Sequence, residues 1–109
     1  MTAGCVLCRV VARESPADIV YEDDEVLAFT DLYPKAPVHV LIIPKRHIES
    51  LATLTAADTL LVGHCLQVAR VLGERTGYAA RGYRVSSNCG PEGGQVVHHL
   101  HFHFTAGRR

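Results

Sequence analysis

No run of apolar residues in this 109-residue chain approaches the ~20 needed to cross a bilayer, and no charged-then-apolar leader opens it. A membrane span and export are therefore not expected, and the expected compartment is the cytoplasm. An excess of either charge is missing too, because Lys plus Arg and Asp plus Glu count 11 each. A surface without net charge offers no footing for nonspecific binding to nucleic acid or to membrane. Repeats and low-complexity segments are absent. Cysteine is sparse, at Cys5, Cys8, Cys65 and Cys89. Without a secretion signal, and with 48% hydrophobic residues, a disulfide-stapled framework is not expected. What remains is one ordinary globular domain over residues 1–109, long enough for a single core.

Histidine is what the chain has in density. Four of its seven histidines fall in His98-His99-Leu100-His101-Phe102-His103, and Phe104 follows. Successive side chains on a strand point to opposite faces. His99, His101 and His103 then line one face, and Leu100, Phe102 and Phe104 the other, with His98 on the apolar side. A purification tag would be a contiguous run, so that reading is set aside. Two chemistries stay open on spacing alone. One is a metal site, since neutral imidazole is the commonest ligand; the other is a nucleophilic histidine flanked by two that set its tautomer. The residues upstream lean to the second. Gly93-Gly94-Gln95-Val96-Val97 enters the row with Asn88 before it, and glycines let backbone approach an anion such as a phosphate.

Local patterns predict the elements. Cys5 to about Arg13 is a short helix, stopped before Pro16. Ile19 to Tyr21 and Val26 to Thr30 are strands joined by the acidic turn Glu22–Glu25. Two prolines make Tyr33–Pro37 a loop. Val38 to Ile43 is a third strand, buried on both faces because its apolar run does not alternate. Thr55 with Asp58 resembles a capping box and starts a long helix. Leu61, Cys65, Val68 and Leu72 form its buried stripe, Cys65 is a small buried hydrophobe, and Gly77 suits its end. His64, one residue off the stripe, reads as a surface histidine. Tyr83 to Ser87 and Val96 to Thr105 are the last two strands. This order argues for an α+β domain: an antiparallel sheet with helices packed on it.

The run GGQVVHHLHFHF resembles the signature of the histidine triad (HIT) superfamily, and DLYPKAPVHVLIIPKRH resembles that family's central segment. The resemblance extends from Cys5 to Arg108. It implies a five-stranded antiparallel sheet with one long and one short helix, commonly paired as a homodimer. It also implies a hydrolase of purine nucleoside phosphoramidates or related nucleoside monophosphate conjugates. On this resemblance His101 is the nucleophile, forming a covalent nucleotidyl-histidine. His99 orients it, and His103 contacts the phosphate or leaving group. Asp31 would bind the ribose hydroxyls, with Leu32 beside it and Phe29 near the base. Asn88 and the stretch Gly94, Gln95 and Val96 would hold the phosphate. By residue type alone Asp31 is a loop carboxylate and Asn88 a turn residue. The family often has Ser or Thr where this chain has Val96, so a side-chain donor to the leaving group is lost there.

Cys5-x-x-Cys8 has no strand before it, unlike a redox motif, and a structural zinc site would need two more ligands. In zinc-containing relatives those come from the positions of His47 and His99, so the resemblance implies a zinc ion held by Cys5, Cys8, His47 and His99. Where the cysteines are missing, His47 supports the triad instead. The rivals to the hydrolase are a nucleotide-binding protein with little turnover, a dinucleoside polyphosphate hydrolase, and a metalloenzyme with its ion on His99, His101 and His103.

Overall fold

Two unbroken apolar stretches, Val26-Leu27-Ala28-Phe29 and Val40-Leu41-Ile42-Ile43, become the middle of a sheet covered on one face and partly covered on the other. The computed structural model describes residues 4–107, so Arg108 lies outside the described residues. The strands are β1 (Ile19–Glu22), β2 (Val26–Thr30), β3 (Val38–Pro44), β4 (Arg84–Ser86) and β5 (Phe102–Ala106). They lie in the order β1-β2-β3-β5-β4, each antiparallel to its neighbours. A short helix α1 (Val6–Val11) and a long helix α2 (Thr59–Arg75) complete the α+β fold that the pattern predicts.

Cross-strand partners share a face, so the register sorts the side chains into two sets. Val26, Ala28, Val40, Ile42, Phe102, Phe104 and Ala106 pack against Leu61, Cys65, Val68, Ala69 and Leu72 of α2. Leu27, Phe29 and Ile43 face the other way, onto Cys5, Leu7, Cys8 and Val10 around α1. With 6 residues α1 is only about 9 Å long and cannot cover that face. The uncovered part carries Leu41, His103 and Ser86 in one cross-strand row, and His39, Thr105 and Arg84 in the next.

The strand ends elsewhere shift by a residue, and three boundaries differ for a physical reason. α1 ends at Val11 rather than near Arg13, because Arg13 takes a left-handed φ of 64° that breaks the helical hydrogen bonding. The Thr55/Asp58 capping box exists, with the Thr55 N–H donating to Asp58 Oδ2 at 2.8 Å. It caps a 3-10 turn, Ala56–Asp58, from which α2 continues. β5 begins at Phe102, not Val96. Its ladder with β3 stops at Ile42↔Phe102, and Pro44 beyond has no N–H to extend it. The Leu100 N–H turns instead to the Ile48 carbonyl at 2.6 Å. Among the described residues no helix is long and apolar enough to cross a membrane.

Candidate active site

His101 stands one residue before β5, and His103 lies within it. Their ring centroids are 5.1 Å apart. His101 Nδ1 lies 2.7 Å from the carbonyl oxygen of His99. A carbonyl only accepts, so Nδ1 carries the proton and Nε2 presents a lone pair. Ser87 Oγ donates to the His101 carbonyl at 2.8 Å and ties the backbone down from the β4 side. The result is a half-buried imidazole with one tautomer and one free basic nitrogen.

His103 is held by a residue that sequence reasoning passed over, His39. The Lys35 backbone N–H donates to His39 Nδ1 at 3.0 Å, so a neutral His39 has its proton on Nε2. That nitrogen lies 3.0 Å from His103 Nδ1 and 3.5 Å from Asp31 Oδ2. His103 Nδ1 therefore accepts, and its own proton sits on Nε2 as a donor. Burial first, then the neighbouring His101 and His39, holds His103 below the usual imidazole value. One sequence signal could have found His39. It is a polar residue at a buried position of an apolar central strand, where an unpartnered imidazole would be costly.

The third triad histidine lies on the same side of the sheet as His103, as the alternation predicts, with its ring against the buried cysteines of α1. His99 precedes β5, is 0% exposed, and its Nε2–H donates to the Pro44 carbonyl at 2.9 Å. Its Nδ1 lone pair then points at Cys5 Sγ, 3.4 Å away, and Cys8 Sγ, 3.6 Å away. His47 Nδ1 lies 3.2 Å from Cys8 Sγ. The donor atoms of Cys5, Cys8, His47 and His99 all lie within 4.8 Å of one another, so the four could hold one metal ion. Tetrahedral zinc, with bonds of about 2.3 Å to sulfur and 2.0–2.1 Å to nitrogen, separates S and N by about 3.6 Å. The chemistry and spacing of these donors fit zinc. His99 bonds His101 through its backbone carbonyl, and a metal shared by His99, His101 and His103 has no support in this geometry. Burial pushes the Cys5 thiol up and, with His47 and His101 nearby, pushes the His99 imidazole down.

The glycine loop is self-bonded. The Gly94 N–H donates to the Pro91 carbonyl at 3.2 Å and the Gln95 N–H to the Gly90 carbonyl at 3.0 Å. Gln95 turns inward: its Oε1 accepts from the Gly90 N–H, and its Nε2 donates to the carbonyls of Glu49 and Val97. Its amide fastens the loop rather than facing a ligand. A side chain at Gly93 would meet the Cys89 carbonyl oxygen at 2.2 Å, and Gly94 has φ 83°, so both positions call for glycine. Asn88 Nδ2 donates to the Gly93 carbonyl at 2.8 Å. Among the described residues the Val96 N–H makes no hydrogen bond, and its side chain is 85% exposed. Of the backbone N–H groups of Gly94, Gln95 and Val96, the loop's own hydrogen bonds thus take the first two.

The other expected residues lie on β2 and just beyond it. Phe29 is buried against the α1 cluster. Asp31 continues the β2–β3 ladder through its N–H to the His39 carbonyl, and its Oδ1 accepts from the Tyr33 N–H at 2.8 Å. It is a turn carboxylate with its second oxygen directed at His39. Leu32 is 78% exposed.

Comparisons with known proteins agree with this arrangement. A family model described as "Scavenger mRNA decapping enzyme C-term binding" matches residues 4–108. The chain is 46% identical over 108 residues to an uncharacterized HIT-like protein of Synechococcus elongatus, covering 99% of this chain and 94% of that protein. It is 40% identical over 108 residues to a purine nucleoside phosphoramidase of Escherichia coli, covering 99% and 91%. Among solved structures, a histidine triad protein from Clostridium difficile superposes with a TM-score of 0.97 at 41% identity, covering 100% of this chain and 95% of that one. A HIT family hydrolase from Legionella pneumophila superposes with a TM-score of 0.95 at 40% identity, covering 97% and 95%.

Proposed function

The chain belongs to the histidine triad family, and from that premise we propose that it is a nucleotide hydrolase acting on purine nucleoside phosphoramidates or related nucleoside monophosphate conjugates. The observation that carries this reading is the fixed tautomer of His101. Its Nδ1 proton is committed to the His99 carbonyl, so in the neutral ring Nε2 carries the lone pair that can attack. The relative that names the substrate class is the Escherichia coli phosphoramidase at 40% identity.

In this mechanism His101 Nε2 attacks phosphorus, and the bond from phosphorus to the leaving nitrogen breaks as that nitrogen takes a proton supplied by water and departs as the neutral amine. The His101 Nδ1–H stays on the His99 carbonyl and stabilises the positive charge that the ring gains. His103 Nε2–H and the Val96 N–H donate to the non-bridging oxygens, whose charge grows in the transition state. Water then attacks the nucleotidyl-histidine, releases the nucleoside monophosphate and restores the ring. Asp31 holds the ribose hydroxyls, with Phe29 and Leu32 on the base side. Asn88 and Gln95 keep the loop around Gly94 in place.

Zinc on Cys5, Cys8, His47 and His99 would be structural: a bound ion fixes charge and geometry around His99. The family resemblance also carries pairing into a homodimer, and the reduced thiols suit a cytoplasmic setting. Val96 favours one rival, a nucleotide-binding protein with slow turnover, because no hydroxyl stands there to assist the leaving group.

The test is turnover of an adenosine phosphoramidate with intact-mass detection. Wild type should gain the mass of a nucleoside monophosphate, and His101→Ala should show no adduct and at least ~10⁴-fold less turnover. Nucleotide binding by folded wild type, with neither adduct nor turnover, would favour the binding-protein rival.

A further inference from the structure

By its own sequence α1 is the weakest element of the fold. It has 6 residues, and an isolated helix shorter than about 12 is marginal in water. Three of those residues are valines, whose branching at Cβ lowers helix propensity. No acidic residue stands in its first turn. Its N-cap is Cys5, outside the Ser, Thr, Asp and Asn set that caps best. The Cys8 N–H still donates to Cys5 Sγ, at 3.3 Å, but a thiol sulfur is a weak acceptor.

Two things hold α1 to the sheet. Its Leu7 and Val10 share an apolar cluster with Leu27, Phe29 and Ile43. Its Cys5 and Cys8 meet His47, just past β3, and His99, just before β5, in one group of four donors. Cys8 and His47 are 39 positions apart, and Cys5 and His99 are 94. An ion on this set closes both long loops at once, where a cross-link constrains the chain most. Metal-bound sulfur carries thiolate charge and accepts more strongly than a thiol, so the same ion strengthens the Cys5 cap.

We infer that α1 is ordered on the sheet by a metal ion on Cys5, Cys8, His47 and His99, and that this ordering sets how tightly the site holds a nucleoside. The inference rests on the zinc and hydrolase readings above and adds what the ion controls. Phe29 is the link. It is 7% exposed, stands on the base side in that reading, and shares its apolar cluster with α1. With α1 detached, its ring loses packing partners. A nucleoside then binds only the fraction of molecules with α1 docked, and its apparent Kd rises as that fraction falls. Linkage makes the coupling mutual: nucleotide should tighten zinc binding by the same factor as zinc tightens nucleotide binding.

The experiment is amide hydrogen exchange on the whole protein, zinc-loaded and chelator-stripped, with metal content measured and adenosine monophosphate binding followed by calorimetry. Stripping should speed exchange of the α1 amides by at least about tenfold while α2 stays protected. The Kd for adenosine monophosphate should rise about tenfold. Cys8→Ser should match the stripped protein with or without zinc. Arg9→Gly, at an exposed α1 position away from the four donors, should weaken zinc binding about fivefold, because forming the helix and holding the ion are one equilibrium. Zinc bound with α1 exchange unchanged, or zinc affinity unchanged in Arg9→Gly, would overturn the inference. So would a loosened α1 with an unchanged Kd for the nucleotide. Loss of protection across α2 as well would overturn it too, since the ion would then hold the whole fold. In each of these cases the His101 adduct still tests the hydrolase reading by itself. A protein that binds no zinc would remove the zinc reading and this inference together.

Discussion

The two faces of one sheet solve opposite problems with the same strands. Against α2 the sheet presents Phe104, Val40, Ile42 and Val26, and even the cysteine there is inert: burial, with Asp23 nearby, pushes the Cys65 thiol up to about 12. On the other face α1 brings two more buried cysteines, Cys5 and Cys8, and these meet the imidazoles of His47 and His99. A thiol among aliphatic groups behaves as a small hydrophobe, whereas thiols facing imidazole lone pairs form a ligand set. What separates the faces is the length of the covering helix. α2 spans its face and leaves it dry; α1, at 6 residues, stops short, and the remaining surface becomes the site.

This contrast can be broken most strongly on the dry side. Phe104 is fully buried and stacks on Tyr83 at 4.8 Å. Phe104→Ala should cost about 3–5 kcal/mol in chemical denaturation, while His101→Ala, the variant expected to lose turnover, should leave the unfolding midpoint nearly unchanged. Equal stability losses in the two variants would contradict a division between a supporting face and a working face.

The cysteines give the next effect. If Cys5, Cys8, His47 and His99 hold zinc, chelation should lower Tm, by the equivalent of about 2.7 kcal/mol when the ion had been a hundredfold above its Kd. Cys8→Ser should abolish that response, and Cys65→Ala should retain it in a less stable background. A chelator response that survives Cys8→Ser would place the ion elsewhere.

The smallest effect sharpens the comparison within the working face. His103 titrates below the ordinary imidazole value of 6.5, from burial and its histidine neighbours. An unfolded imidazole binds protons first as pH falls, so stability from this group is whole above pH 6.5 and declines below it. Protonated His103 would also turn a second N–H toward the His39 Nε2–H, so the chain from Lys35 should open in the same window. Nitrogen-detected NMR should show the Nε2–H tautomer of His103 above that window. An Nδ1–H tautomer there would refute the bond direction assigned between His39 and His103.

Much of the site was legible because its residues are unusual where they stand. Alternation of His101 with Phe102 and of His103 with Phe104 set both the buried face and the reactive one. The Gly93-Gly94 pair marked a loop that tolerates no side chain at its first position. What could not be read depends on contacts between distant segments. His39 gains its role only because β3 lies beside β5, bringing residues 64 positions apart to 3.0 Å. Gln95 reads as a ligand residue until the Glu49 and Val97 carbonyls claim its amide.

Period-2 and period-3.6 apolar patterns determined the fold class and the long helix, since these rest on local spacing, and one dense histidine motif marked the candidate site. The tertiary structure decided which partner each histidine meets. His99, His101 and His103 are the same residue type at the same spacing. Each tautomer was set by a different distant or backbone partner: the Pro44 carbonyl, the His99 carbonyl and the His39 ring. An imidazole has two nitrogens and one mobile proton, and its role is fixed by whichever group the fold brings to each.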